Sequence, residues 1–138
     1  MSRAGSSKGV GNKTVHGWNG TIGWLATPQS HDYPAAKSYL RLLVDEPSAS
    51  RFVKRLRDAK VTEFKAKDIF RASQLSLLGV SNSHVKKDKV KIEHGQKLSP
   101  LLLVRDMRSS KLIIADGYHR LCAVYMYDED AVIPCKIV

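Results

Sequence analysis

The stretch "IIADGYHRLCAVY", residues 113–125, changes character abruptly in its middle. Three apolar residues lead into the polar run Asp116-Gly117-Tyr118-His119-Arg120, and the chain then turns apolar again. A short apolar run that stops at a glycine is typical of a buried strand, and the longer apolar run after it is typical of a buried helix. The sequence therefore predicts a strand ending at Ala115, a polar turn, and a helix over residues 119–127.

The segments around this stretch indicate the fold class. After Pro100, the apolar run 101–104 predicts a strand, and the polar connection 105–110 predicts a hairpin with the strand 111–115. The same patterns predict strands at 61–64 and 132–138 and a short helix at 67–72. They also predict a helix that starts from an N-cap at Ser83 and ends at about His94. The apolar side of that helix would consist of Val85, Val90 and Ile92. We predict an α+β fold in which helices cover one small mixed sheet.

The chain divides into three predicted parts. Residues 1–20 are rich in Gly, Ser, Asn and Lys and predict a flexible basic arm, which Trp18, Ile22, Trp24 and Leu25 could pin to the core. Residues 21–60 predict an N-terminal helical extension, with one helix from Tyr33-Pro34 and a second capped by Asp45 or Ser48. Residues 61–138 form the predicted main domain. The length of 138 residues suits one core with attached segments.

The net charge of +10, from 23 Lys and Arg against 13 Asp and Glu, indicates either an anionic partner or solubility alone. The outward face of the second helix is predicted to carry four of these cations, Arg51, Lys54, Arg55 and Arg57. This face is either solvated or in contact with nucleic acid. Without an apolar run of about 20 residues or a secretory signal, we predict a cytoplasmic protein without a membrane partner. Cys122 and Cys135 lie among apolar neighbours and are predicted to be reduced core thiols.

The turn at 116–120 contains the parts of a phosphate site. The first amides of a helix and the positive end of its dipole favour an anion. Gly117 lets a ligand approach the backbone closely, Arg120 can bind two phosphate oxygens, and His119 is a donor whose charge changes near neutral pH. The alternative is a purely structural helix start, in which Asp116 is the cap, His119 is packed and Arg120 is exposed.

Asp116 needs its own explanation, because its carboxylate repels the phosphate that the other residues attract. Two solutions are open. It either caps the helix and orients His119 or Arg120, or it binds a Mg²⁺ ion that bridges it to the phosphate.

The segment 116–120 resembles the signature of the ParB/sulfiredoxin-like superfamily, in which a strand, a glycine turn and a helix carry a motif ending in His-Arg or Arg-Arg. Sulfiredoxins have Gly-Gly-Cys-His-Arg at this place. The flanking segments 92–104 and 133–138 are similar to the family as well, and Asn82-Ser83-His84 lies where ParB proteins have Asn-Pro-Arg. The resemblance extends over residues 61–138. Parts of the same region also resemble a subfamily of small bacterial proteins.

This resemblance implies a nucleotide phosphate site at the turn. The phosphate-binding residues would be Gly117, Tyr118, His119 and Arg120, with further ligand contacts from Asn82 and His84. Catalytic roles would belong to Asp116, as the Mg²⁺ ligand, to His119, and to Glu93 as a base. Tyr118 stands where a sulfiredoxin has its nucleophilic cysteine, so reduction of sulfinic acids is not expected. No helix-turn-helix segment follows up to Val138, so DNA binding of the ParB type is not expected either.

Three functional hypotheses remain open. The first is a protein that binds a nucleoside triphosphate, with Mg²⁺-dependent phosphotransfer or nucleotide hydrolysis at the turn. The second is a basic nucleic-acid-binding module or ParB-like nuclease. The third is a regulatory protein with a vestigial site.

Overall fold

The computed structural model describes residues 21–138, and the predicted basic arm with Trp18 lies outside them. Five helices and four strands follow one another in this part of the chain: α1 (Asp32–Leu40), α2 (Glu46–Asp58), β1 (Thr62–Lys65), α3 (Ala66–Ser73), α4 (Ser83–Glu93), β2 (Leu101–Asp106), β3 (Lys111–Asp116), α5 (Tyr118–Tyr127) and β4 (Val132–Ile137). The predicted α+β class is confirmed. Among these helices, none has the length and apolarity needed to cross a bilayer.

The four strands form one mixed sheet in the order β1-β4-β2-β3. The predicted hairpin is confirmed, because β2 and β3 pair antiparallel. β4 inserts between β1 and β2, antiparallel to the first and parallel to the second. This arrangement leaves β3 and β1 as the two edge strands and places the end of β3 beside the start of β2.

Side chains that alternate along β2 point to two separate cores, one on each face of the sheet. Leu101 and Leu103 pack with α3, α4 and α5, whereas Leu102 and Val104 pack with α1 and α2. All four leucine and valine side chains are fully buried. The helices of segment 21–60 therefore cover one face of the sheet at β2 and β3 and share a core with these strands.

The segment before α1 adds a further contact with the sheet region. Trp24 forms a parallel bridge with Leu98, and the amide of Leu25 donates to the carbonyl of Leu98 at 2.8 Å. Ile22 and Trp24 pack against the core under α3, α4 and α5. The pinning role predicted for this apolar segment therefore holds for Ile22 and Trp24.

The helix starts show one confirmed and one wrong prediction. Asp45 caps α2, because its Oδ1 accepts from the amide of Ser48 at 2.7 Å. In α4 the cap is Asn82 rather than Ser83: Asn82 Oδ1 accepts from the amides of His84 and Val85. Ser83 is already the first helical residue, so its side chain is one position too late to cap.

The apolar side of α4 also differs from the prediction. Val85 and Ile92 are buried as expected, but Val90 is 42% exposed and the third buried residue is Asp88. Positions 85, 88 and 92 share one helical face, since residues three, four and seven apart lie above one another. The third buried residue of α4 is therefore a carboxylate at position 88 and not the predicted valine at position 90.

Candidate functional site

The turn between β3 and α5 requires glycine at position 117. Gly117 is the N-cap of α5 and has φ +110°, a conformation that other residues rarely adopt. A Cβ atom there would lie 2.7 Å from Leu101 Cγ and 2.9 Å from Arg120 Nη2. The missing side chain thus makes room for the guanidinium of Arg120 directly beside the backbone of the turn.

Arg120 is held in place by two acceptors. Its Nη2 donates to Asp116 Oδ2 at 3.0 Å and to the carbonyl of Pro100 at 3.4 Å. Its Nε is buried and has no hydrogen-bond partner within residues 21–138. Because an unpaired buried donor costs free energy, the hydrogen bonds of Nη2 to Asp116 and Pro100 are the ones that hold this guanidinium.

Asp116 orients Arg120 and does not cap α5. No side chain caps this helix, so the amides of its first turn stay available to a ligand. Burial raises the pKa of Asp116 above its usual range, and the Arg120 guanidinium opposes that shift. Of the two explanations offered by the sequence, the structure supports orientation of Arg120, while binding of Mg²⁺ by Asp116 stays a prediction.

A small polar cavity of about 210 Å³ opens in front of this turn. One wall consists of residues 116–120, and the facing wall comes from α4: His84, Lys87, Asp88 and Lys91. The α4 residues lie three, four and seven positions after His84, which is the spacing of one helical face. The cavity therefore joins two helices, and its second wall contains two lysines and a carboxylate that the sequence did not predict as site residues.

Asp88 is the buried carboxylate of the second wall. Burial raises its pKa, and the charges of Lys91, Arg120 and His119 act in the opposite direction. Lys91 Nζ lies 3.9 Å from Asp88 Oδ1. A carboxylate buried among cations at a cavity is a common feature of functional sites. The signal that could have found it is the spacing His84-Asp88-Lys91, which places the three on the same face as the cavity.

His84 and His119 meet across the cavity. Their ring centroids are 4.8 Å apart with an angle of 30° between the planes. Burial has the largest effect on His119 and lowers its pKa. The neighbouring His84 and Arg120 lower this pKa further, whereas the carboxylate of Asp88 raises it. His119 is therefore mostly neutral at pH 7, so one ring nitrogen can accept a hydrogen bond or a proton.

Tyr118 contacts the loop before α4 instead of directing its hydroxyl at the cavity. Its Oη donates to the backbone carbonyl of Ser76. One turn later, burial raises the pKa of the Cys122 thiol, which favours the protonated form of that sulfur. Burial also raises the pKa of Cys135 to about 12. Both cysteines are free and buried, as the sequence predicted.

Two predicted site residues lie outside the cavity lining. Asn82 serves as the cap of α4, and its side-chain oxygen is engaged by two backbone amides. Glu93 is the last residue of α4, where its Oε2 accepts from Tyr127 Oη at 2.6 Å and from Lys89 Nζ. The carboxylate of α4 that lines the cavity is Asp88, one and a half turns earlier than Glu93.

The predicted basic face of α2 is exposed but divided. Arg51, Lys54 and Arg55 are all exposed along the helix. Arg57 is set apart, because its guanidinium carbon lies 4.4 Å from the ring centroid of Tyr33. These residues belong to the opposite face of the sheet from α4 and α5, so the structure does not bring them to the cavity at 116–120.

Within residues 21–138, no group of three or more His, Cys, Asp and Glu side chains is arranged to hold a metal ion. Comparison of the chain with protein-family models gave no match, and comparisons with curated proteins and with solved structures gave no significant match.

Proposed function

We propose that the cavity between α4 and α5 binds a phosphate group of a nucleotide or another phosphorylated molecule. The observation that supports this most is Arg120, which lines the cavity and whose guanidinium is oriented by hydrogen bonds to Asp116 and to the carbonyl of Pro100. The amides at the start of α5, Lys87 and Lys91 surround the same space. Guanidinium groups, ammonium groups and free helix amides are the donors that phosphate prefers.

The size of the cavity supports a ligand that enters with its phosphate end. A volume of about 210 Å³ is below the roughly 300–1,000 Å³ that encloses a whole small-molecule ligand. A phosphate group fits, and the rest of the molecule would extend past His84, which is exposed at the rim. The proposed ligand is therefore a terminal phosphate with the remainder held more loosely.

His119 is the residue of this site that could take part in proton transfer. As a mostly neutral ring beside Asp88 and Arg120, it could accept a proton from a hydroxyl or water near the bound phosphate. Mg²⁺ bound by Asp116 would add charge neutralisation for a triphosphate. Phosphotransfer or nucleotide hydrolysis thus remains a proposal that depends on phosphate binding.

Calorimetric titration with ATP, CTP and inorganic phosphate, each with and without Mg²⁺, tests the proposal. At a ligand concentration one hundred times the dissociation constant, binding stabilises the folded chain by about 2.7 kcal/mol, which also raises the thermal midpoint. Arg120→Lys keeps the charge but loses the planar fork, so we expect binding about tenfold weaker. Absence of binding by all three ligands under both conditions would refute the proposal.

The matched control for Arg120→Lys is Arg71→Lys. Arg71 lies on α3, is exposed and does not line the cavity. We expect this variant to bind phosphate as the native chain does. Equal weakening in both variants would mean that overall charge, and not the cavity, attracts the ligand.

Nucleic-acid binding is the second candidate, and the exposed row Arg51, Lys54 and Arg55 supports it together with the net charge of +10. Such binding would weaken steeply with salt, because each neutralised phosphate releases counterions. Filter binding of a duplex and a single strand between low and moderate salt measures that slope. An affinity that does not change with salt would exclude nucleic-acid binding. An affinity for nucleic acid that Arg120→Lys leaves unchanged would show that this binding does not use the phosphate site.

A further inference from the structure

The outer edge of β3 borders a groove of about 790 Å³ that the phosphate site does not use. β3 supplies one side of it with residues 111–114. On one face of the sheet, Tyr39 at the end of α1 and Leu43 in the turn after it line the groove, and on the other face Leu75, after α3, borders it. The groove thus follows the edge of the sheet between helices that cover its two faces.

The backbone of β3 leaves hydrogen-bonding groups directed into this groove. The amide of Arg105 donates to the carbonyl of Val138 at 2.8 Å, so the backbone groups of Arg105 face β4. The N–H and C=O groups of successive residues in a strand point to opposite sides, so the backbone groups of Val104 point toward β3, where Ile113 is the paired residue. Leu112 and Ile114, on either side of Ile113, therefore direct their N–H and C=O groups away from β2, and within residues 21–138 no second strand pairs with β3.

The groove is apolar inside and positively charged around its margin. Tyr39, Leu43 and Leu75 are each more than 40% exposed, and Met107 at the hairpin turn is 86% exposed. The lining contains one carboxylate, Asp106, and four cations: Arg55, Arg105, Arg108 and Lys111. The Asp106 carboxylate accepts from the Ser109 hydroxyl and from the amide of Arg108, and these two bonds lower the pKa of Asp106. Its charge is therefore already paired with donors of the turn.

We propose that this groove binds an extended, acidic segment of another protein, which adds to the sheet as a fifth strand beside β3. The free N–H and C=O groups of Leu112 and Ile114 would pair with the backbone of the segment. Apolar side chains of the segment would fill the space between Tyr39, Leu43 and Leu75, and its carboxylates would meet the four cations. With six residues in β3, the strand interface spans about 20 Å.

Charge selects this occupant over the two that the chain itself could supply. A second copy has the same net charge of +10, so it would bring a surplus of cations to a groove whose margin is already positive. Residues 1–20 contain Arg3, Lys8 and Lys13 but no Asp or Glu, so they carry the same sign as the groove. Like charges facing one another across an interface suppress such pairings.

A fluorescein-labelled peptide of about seven residues, alternating valine and glutamate, tests the proposal by fluorescence anisotropy with the full chain. We expect saturable binding and slower exchange of the Leu112 and Ile114 amides in the complex. A peptide with the same side chains but N-methylated at alternate residues cannot donate to the sheet, and we expect it to bind at least tenfold more weakly. Equal binding of the methylated peptide would overturn strand addition.

Two further comparisons test the charge and the partner. Arg108→Glu should weaken binding of the acidic peptide roughly fivefold, whereas Lys60→Glu, an exposed substitution outside the groove, should not. A valine and lysine peptide that binds as well as the acidic one would overturn the proposed partner. Sedimentation of the full chain as a dimer that peptide does not dissociate would also overturn it, because the groove would then be filled by a second copy.

Discussion

Position 117 shows how one missing side chain determines both the turn and the site. The sequence correctly indicated that glycine there permits a tight turn. The structure adds that the space is already occupied on the protein side, by Leu101 and by the guanidinium of Arg120. The glycine therefore leaves the space that the arginine side chain occupies.

We expect Gly117→Ala to lower the free energy of unfolding by about 2–4 kcal/mol. The loss combines the strain of alanine at φ +110° with the clash of its Cβ against Leu101 and Arg120. Urea denaturation measures it. Gly79→Ala is the control, because a Cβ at Gly79 would meet nothing within 4 Å. A loss as large at position 79 would show that glycine in general, and not this turn, matters.

His119 predicts how anion binding depends on pH. Burial lowers the pKa of this ring below its ordinary value of 6.5, so in the free protein the ring is protonated only below that pH. A bound dianion favours the protonated ring, and affinity should therefore rise as pH falls through 6.5. The other groups facing it are His84, Asp88 and Arg120, with Lys87 and Lys91 also in the cavity.

Sulfate is the suitable probe, because it does not titrate in this range. Between pH 8 and pH 5.5, at constant ionic strength, we expect its affinity to increase roughly fivefold in calorimetric titrations. The variant His119→Gln should show a shallower dependence. If the native chain and this variant follow the same curve, another group controls the charge of the site.

At the scale of elements, α4 shows where sequence patterns are informative and where they are not. Its end points were predicted to within one residue, since an N-cap signal precedes it and Gly95 follows it. Its buried face was predicted poorly. Patterns assign the inner face to apolar residues, but Asp88 is buried because it faces a polar cavity. Functional positions are the ones where polarity and burial are expected to disagree.

The cap of α4 provides a direct test of that helix. We expect Asn82→Ala to destabilise the protein by about 1 kcal/mol, because two backbone amides lose their acceptor. Because α4 supplies one wall of the cavity, phosphate affinity should decrease as well. Ser83→Ala is the matched control and should change neither quantity. Thermal unfolding and calorimetry measure both, and an equal effect of the two substitutions would contradict the assignment of the cap.

For the whole molecule, the strand order lay beyond what the sequence could predict. Runs of apolar residues identified the β2 to β3 hairpin, because its pairing is local. The insertion of β4 between β1 and β2 depends on contacts between residues about seventy positions apart, such as Thr62 with Cys135. Such pairing is decided by the faces that the helices cover, and a single sequence does not reveal those faces before the fold is known.

The two cores predict the outcome of truncation. A fragment of residues 61–138 would lack α1 and α2 and so would expose Leu102, Val104 and Ala115, all buried in the intact chain. We expect this fragment to show no cooperative thermal transition and to bind an apolar dye, whereas residues 21–138 unfold cooperatively. A cooperative transition in the shorter fragment would mean that residues 61–138 fold without segment 21–60.

The position of β4 also determines when the chain can fold. The ribosome delivers the helices, β1 and the β2 to β3 hairpin before Val132 is synthesised, yet β1 has no strand to pair with until β4 exists. Until then the edges of β1 and β2 that later meet β4 stay open, and open edges are sites of aggregation during synthesis. Folding of the sheet is therefore expected to be a late, long-range step, slow relative to a helical protein of this length.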